Sequence, residues 1–245
     1  MTAYSWTGWH TYKLSNRIKE CRGAASFYFA PADGSELPDF RAGQIVALRT
    51  ESIAPTPYIL CGTPNGRFLR LTVKCTNDDN EPLGPMTAQL MKMQIGDTIE
   101  MSAPTGDFVL EGGETPVVVI TDGIGVTAAI AFLSELSTDQ PLRPVHVLVS
   151  TLNGDTFPLR EEALRLVESL PNGGLGVFYK APKDDEHAGR DYTVEGGITV
   201  AKIRSACMDP EADYYLCGPK CFTEDIRTGL VSLSTRESRI HVMSL

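Results

Sequence analysis

Three clusters in this chain combine residue types and spacings that suit chemistry on a nucleotide. The first is Asp122-Gly123-Ile124-Gly125-Val126-Thr127, which follows the apolar run from Val117 to Ile120. Gly123 and Gly125 let the backbone turn tightly and approach a pyrophosphate, and Thr127 opens a helix whose free N–H groups favour phosphate charge. The second is Cys217-Gly218-Pro219, a thiol at the end of a strand-like run that then turns. The third is Thr56-Pro57-Tyr58-Ile59, where a phenol able to pack on a flat ring sits among apolar neighbours. Each also has a plain reading: an ordinary strand-to-helix turn, a buried strand-end thiol, an aromatic in a barrel wall. Asp122 brings a negative charge into the glycine turn, where it is expected to repel phosphate.

The elements that must position these residues change character along the chain. Up to about residue 100 it reads as short strands: Thr11–Ile18, Ser26–Pro31, Gln44–Arg49, Pro57–Cys61, Phe68–Lys74 and Thr98–Ser102. Turn chemistry separates them at Asp33-Gly34, Ala42-Gly43, Pro64-Asn65-Gly66 and Ile95-Gly96-Asp97. One helical segment falls near Pro85–Met93. Strands of this number and spacing imply a small antiparallel β-barrel. From Thr115 onward, apolar strands alternate with helices expected over Thr127–Leu136, Pro158–Leu170 and Pro219–Leu233. A run without polar alternation, such as Val117–Ile120, fits a parallel strand covered on both faces, and Val145–Ser150 is another buried-strand pattern. The expected division is therefore residues 1–111 as an antiparallel barrel and residues 112–245 as a Rossmann-like α/β domain, joined through Glu111-Gly112-Gly113-Glu114-Thr115-Pro116.

Composition removes several function classes. A net charge of −9 over 245 residues argues against nucleic acid, which needs a basic surface. No apolar stretch approaches the roughly 20 residues of a membrane span. The opening residues show no basic-then-apolar leader, so a cytoplasmic location is the expectation. Cysteines 21, 61, 75, 207, 217 and 221 are scattered, most of them in apparent strands, and read as reduced thiols; no metal site is expected. His10, His146, His187 and His241 are isolated, and His146, inside an apolar strand, reads as a packing residue.

A barrel followed by a nucleotide-binding α/β domain, with these motifs in this order, resembles the ferredoxin-NADP reductase superfamily, in particular the reductase portion of flavohaemoglobins. Ser26-Phe27-Tyr28-Phe29, Leu37-Pro38-Asp39-Phe40-Arg41-Ala42-Gly43-Gln44, Leu71-Thr72-Val73-Lys74, Gly96-Asp97 and Ala103–Phe108 carry the likeness beside the glycine turn and Cys217–Pro219. The resemblance implies hydride transfer from NADH or NADPH to FAD and onward transfer to an acceptor, the flavin performing the reaction. It assigns Gly123, Gly125 and Thr127 to the pyrophosphate, and Cys217, Gly218 and Pro219 to the nicotinamide pocket, with Cys217 and Tyr58 nearest the chemistry. In place of the family's Arg-x-Tyr-Ser the chain has Thr56, Tyr58 and Ile59, so the phosphate arginine and the flavin-bonding serine are replaced. Gly84-Pro85-Met86-Thr87 stands for Gly-x-x-Ser at a helix start, and Lys74 either reaches a phosphate or is a solvated strand lysine. Met243 and Leu245 occupy places where relatives carry a carboxylate and an aromatic. No arginine cluster follows Val145–Ser150 to grip a 2′-phosphate, which favours NADH.

Two further readings follow from the altered flavin motif. One is a non-redox enzyme, a cyclase, pericyclase or isomerase of a hydrophobic small molecule, using a cleft between the domains without flavin. The other is a binding or regulatory subunit. With no haem segment or four-cysteine module in sight, onward electron transfer is expected to need a small-molecule substrate or a separate acceptor protein.

Overall fold

The computed structural model describes residues 6–76, 83–207 and 209–245. The first residues of the segment read for a leader lie outside them. The chain forms two compact units, 1–110 and 111–245.

Unit 1 contains β1 (Trp9–Cys21), β2 (Ala24–Pro31), β3 (Ile45–Arg49), β4 (Thr56–Ile59), β5 (Leu69–Lys74) and β6 (Thr98–Ser102), with α1 (Pro85–Lys92) between β5 and β6. The sheet is antiparallel in the order β4-β3-β6-β1-β2-β5. Strand alternation decides which face is inside: Tyr12 and Leu14 of β1 are buried while Thr11, Lys13 and Ser15 are exposed. Phe27, Phe29, Val46, Leu48, Leu69, Leu71 and Met101 fill the interior, and α1 adds Met86 and Leu90. Burying each such side chain contributes about 1.5–3 kcal/mol.

The expected barrel is not closed by a continuous ladder, because β4 and β5 remain sheet edges. The four-residue β4 contains Pro57, which has no N–H to donate. One main-chain bond, Cys61 N–H to Arg70 O at 2.9 Å, links the segment after β4 to β5.

Unit 2 is a parallel sheet of β7 (Val117–Asp122), β8 (Val145–Thr151), β9 (Gly173–Tyr179), β10 (Val194–Glu195), β11 (Asp213–Gly218) and β12 (Ile240–Ser244). Its helices are α2 (Val126–Asp139), α3 (Arg160–Glu168), α4 (Val200–Cys207) and α5 (Lys220–Ser232). The order is β10-β9-β8-β7-β11-β12, the doubly wound pattern. Every residue of β7 is buried, as its unbroken apolar run implies.

Four elements, β9, β10, β12 and α4, were not anticipated from the sequence. In β9 the glycines hide the strand pattern but serve its packing. A Cβ on Gly174 would lie 2.6 Å from His146 Nδ1, and one on Gly176 2.7 Å from Leu148 Cδ2. The adjacent β8 side chains therefore lean over β9. His146 is exposed, with its ring beside Gly174, not packed inside as expected. The cysteines are free, but only Cys21 and Cys217 lie in strands; Cys207 and Cys221 are helical, and Cys61 and Cys75 follow strand ends.

Candidate functional site

An open α/β sheet leaves a crevice at the carboxyl ends of its strands where the strand order reverses. In unit 2 that point lies between β7 and β11: the chain moves from β7 outward through β8, β9 and β10, then returns to β11 and β12. The glycine turn ends β7 and the Cys217–Pro219 segment ends β11, so the fold brings these two sequence clusters side by side.

Their contact is between backbones. Gly123–Gly125 forms one turn of 3-10 helix leading into α2. A Cβ on Gly125 would fall 2.2 Å from Cys217 O and 2.7 Å from Cys217 C, so no other residue fits without displacing β11. Gly123 has φ of +57° with open space where a Cβ would stand. No side chain caps the 3-10 turn at Gly123–Gly125, and the first amide of α2, Val126 N–H, is held by Gly123 O and Ile124 O, so the donors open to an anion belong to the turn itself. The Thr127 hydroxyl is buried and donates to Ile124 O at 3.0 Å.

Asp122 changes meaning once its surroundings are known. Its carboxylate is nearly buried and ion-paired to Lys180, whose Nζ lies 2.7 Å from Oδ1 and 2.9 Å from Oδ2. The charge expected to repel phosphate is thus balanced by a cation carried on the segment after β9. Gly218 lets β11 approach: a Cβ there would meet Asp122 Cβ and Phe222 Cδ1, both at 3.1 Å. Pro219 is exposed at the start of α5. Cys217 is fully buried, and desolvation pushes its thiol far above the ordinary range. Such a buried, neutral thiol is a poor nucleophile. Met243 pairs with Cys217 across β11 and β12, and Leu245 N–H donates to Gly218 O at 2.9 Å, so the last residues run beside the same segment.

In unit 1, Tyr58 on β4 and Thr87 in the first turn of α1 meet through their hydroxyls at 3.2 Å. Burial pushes the Tyr58 phenol up, while the bond to Thr87 acts in the opposite direction. The ring also packs against the interior of unit 1. Gly84 precedes α1 with Pro85 at the first helical position, and no side chain caps the amides of this turn. Thr56 turns its hydroxyl to Ala54 O at 3.1 Å, and Ile59 is 6% exposed. Lys74 stands exposed at the end of β5. The structure therefore joins Tyr58 to Thr87 directly, but gives Thr56 a local partner and puts Ile59 in the wall.

Two residues escaped the sequence reading. Lys180 follows a strand hidden by its glycines. Glu186 accepts Gly154 N–H at 2.8 Å and Lys183 N–H at 2.8 Å, bracing the loop after β8. The acidic run Asp184-Asp185-Glu186 was the available signal for the second; no local pattern pointed to the first.

Comparison with known proteins agrees with this geometry. A family model described as the oxidoreductase NAD-binding domain matches residues 119–228. The flavohemoprotein of Bordetella pertussis is 33% identical over 243 residues, covering 96% of this chain and 60% of that protein. The chain thus spans about three fifths of the length of the curated relatives it matches. Among solved structures, the FAD/NAD binding domain of nitric oxide dioxygenase from Vibrio cholerae superposes with a TM-score of 0.85 at 26% identity, covering 98% of this chain and 99% of that one. The flavohemoglobin of Malassezia yamatoensis, solved with bound FAD and heme, gives a TM-score of 0.82 at 25% identity over 96% of this chain and 60% of that one.

Proposed function

Because the chain belongs to the ferredoxin-NADP reductase superfamily, as a reductase module of the flavohaemoglobin type, we propose that it is a flavin-dependent NAD(P)H oxidoreductase. In this reading residues 1–111 hold FAD and residues 112–245 hold NADH or NADPH. The observation that carries it is the backbone contact of Gly125 with Cys217 at the point where the sheet order reverses, beside the uncapped 3-10 turn Gly123–Gly125.

The residues of unit 2 fit the pyrophosphate of a nicotinamide dinucleotide. Gly123 leaves its backbone open, the amides of the Gly123–Gly125 turn would donate, and Lys180 offsets the charge of Asp122. Gly218 and Pro219 would border the nicotinamide, with buried Cys217 as wall. In unit 1 the phenol of Tyr58 would support the flavin ring, while the α1 amides after Gly84, with Thr87 and Lys74, would receive its phosphates. FAD, when bound, takes a hydride equivalent from the nicotinamide and releases electrons to an acceptor. The protein's part is to bind, orient and keep water from the reacting groups. The onward acceptor would be a haem domain, another protein or a small molecule. The relatives favour this redox reading over cyclisation or isomerisation, and Ile59, taken as apolar lining in that alternative, is a wall residue of unit 1.

The flavin site of this chain lacks the charge-assisted contact that an arginine at position 56 would make. Such a bond is worth about 1.5–3 kcal/mol. Thr56→Arg is therefore expected to tighten FAD binding about ten- to hundredfold, measured by fluorescence quenching on titration of FAD. An unchanged Kd would mean that FAD phosphate does not lie beside β4, and no FAD uptake by either protein would remove the proposed function.

A further inference from the structure

The ion pair of Asp122 and Lys180 spans the ends of three strands. Lys180 N–H donates to Thr151 O at 2.9 Å, and Ala181 N–H to Leu152 O at 2.9 Å, so the lysine backbone is fastened beside the end of β8. Its Nζ lies on the terminal carboxylate of β7. Since β8 stands between β9 and β7, the side chain must cross the carboxyl end of β8. In a doubly wound fold with pyrophosphate at the first strand-to-helix turn, the adenosine ribose lies over the end of the next strand. That strand is β8. A dinucleotide bound at Gly123–Gly125 would thus set its ribose on the Lys180–Asp122 bridge.

The charge around this place is already balanced or negative. Lys180 is paired with Asp122, Lys183 with Asp155 at 2.9 Å, and Arg190 with Asp191 at 2.7 Å. Asp184, Asp185 and Glu186 add further carboxylates on the same loop, and both Glu186 oxygens are held by main-chain N–H groups. Lys180 keeps a side chain 44% exposed, while that of Asp122 is 10% exposed. The lysine side chain is thus partly open to solvent while its ammonium charge is spent on the carboxylate it touches. The Ser150 hydroxyl, wholly buried and without a hydrogen-bond partner, pairs in register with Asp122. Position 122 thus has a second polar neighbour if the lysine turns away.

From this we infer that Asp122 is the residue that sets cofactor choice: by neutralising Lys180 it makes the ribose site accept a free 2′-hydroxyl and gain nothing from a 2′-phosphate. The inference rests on the dinucleotide reading of unit 2. A 2′-phosphate carries nearly two negative charges, so a neutral ion pair among carboxylates offers it no net attraction. With Asp122 made neutral, the same ammonium becomes an uncompensated cation above the end of β8.

The test is a calorimetric titration of the whole chain with NADH, NADPH, 5′-ADP and 2′,5′-ADP, which needs no flavin and no turnover. Wild type is expected to favour NADH over NADPH. In Asp122→Asn the NADPH-to-NADH affinity ratio is expected to rise about tenfold or more, the size of one charge-assisted bond. The ratio for 2′,5′-ADP against 5′-ADP should rise in parallel. Adding Lys180→Met to Asp122→Asn should return both ratios to the wild-type value, a reversal that loss of packing would not give. NADH binding with ratios unmoved by Asp122→Asn would overturn the inference and leave the dinucleotide reading standing. Wild type that binds none of the four ligands would overturn both. If Asp122→Asn fails to fold, Asp122→Ser is read in the same way.

Discussion

Gly125→Ala is expected to weaken NADH binding at least about a hundredfold and to lower the stability of unit 2. The reason is geometric. The added Cβ would stand 2.2 Å from Cys217 O, and the obstacle is backbone, which cannot rotate away as a side chain can. Either the glycine turn or the end of β11 must move, and both border the proposed dinucleotide site. Overpacking of this kind costs about 1–3 kcal/mol, and displaced phosphate donors lose charge-assisted bonds in addition. Calorimetric titration with NADH and a thermal melt of the same sample check the two parts together. Binding within threefold of wild type would show that the contact of Gly125 with Cys217 is incidental to the ligand. Gly123→Ala makes a useful contrast, because open space surrounds that position and only its φ of +57° opposes a side chain.

Arg143→Met is expected to be the most destabilising single change in unit 2. The guanidinium is 4% exposed and ties four groups together. Nε donates to Thr115 O at 2.6 Å, Nη1 to Glu111 O at 2.6 Å and to Gln140 Oε1 at 3.1 Å, and Nη2 to Asp213 Oδ2 at 3.4 Å. It thereby fastens the segment entering β7 to the start of β11. Methionine would fill the volume but take the Arg143 donor from two main-chain carbonyls, the Gln140 amide oxygen and part of a carboxylate. Breaking a buried charged network costs about 3–5 kcal/mol. Asp213 keeps Arg239 at 3.1 Å, which favours the lower end of that range. A fall of roughly 10 °C in the melting midpoint is expected. A drop under 2 °C would mean that water or neighbouring groups satisfy these carbonyls readily.

Several elements were legible in the sequence because one physical signal dominated. The apolar runs of β7 and β11, and that of β8 around His146, read as buried strands, and the structure shows β7 buried throughout while His146 of β8 is exposed. The glycine turn was legible from spacing, but its purpose was not. Gly125 is needed for the approach of Cys217, a residue about ninety positions later, and such a contact has no local trace. The same limit applies to Asp122, whose sequence shows a charge in the wrong place and whose structure supplies Lys180 across two strands. β9 was lost because Gly173, Gly174 and Gly176 lower strand propensity, although two of them admit the β8 side chains. Thr127 was assigned to the pyrophosphate through the resemblance and the helix it opens; its hydroxyl bond to the carbonyl of Ile124 is one available to any threonine at a helix start. In unit 1 the replacement of the arginine by Thr56 was plain from the motif. The bond of Tyr58 to Thr87 was not, because it joins a strand to a helix 29 residues away.

The central claim is that nicotinamide reduces a flavin held by this chain. The most direct measurement is the visible spectrum of the protein after incubation with excess FAD and gel filtration, recorded without oxygen before and after adding NADH. A retained flavin band that bleaches with one equivalent of NADH is expected. A protein that emerges colourless, or one whose flavin band survives excess NADH and NADPH, would contradict it.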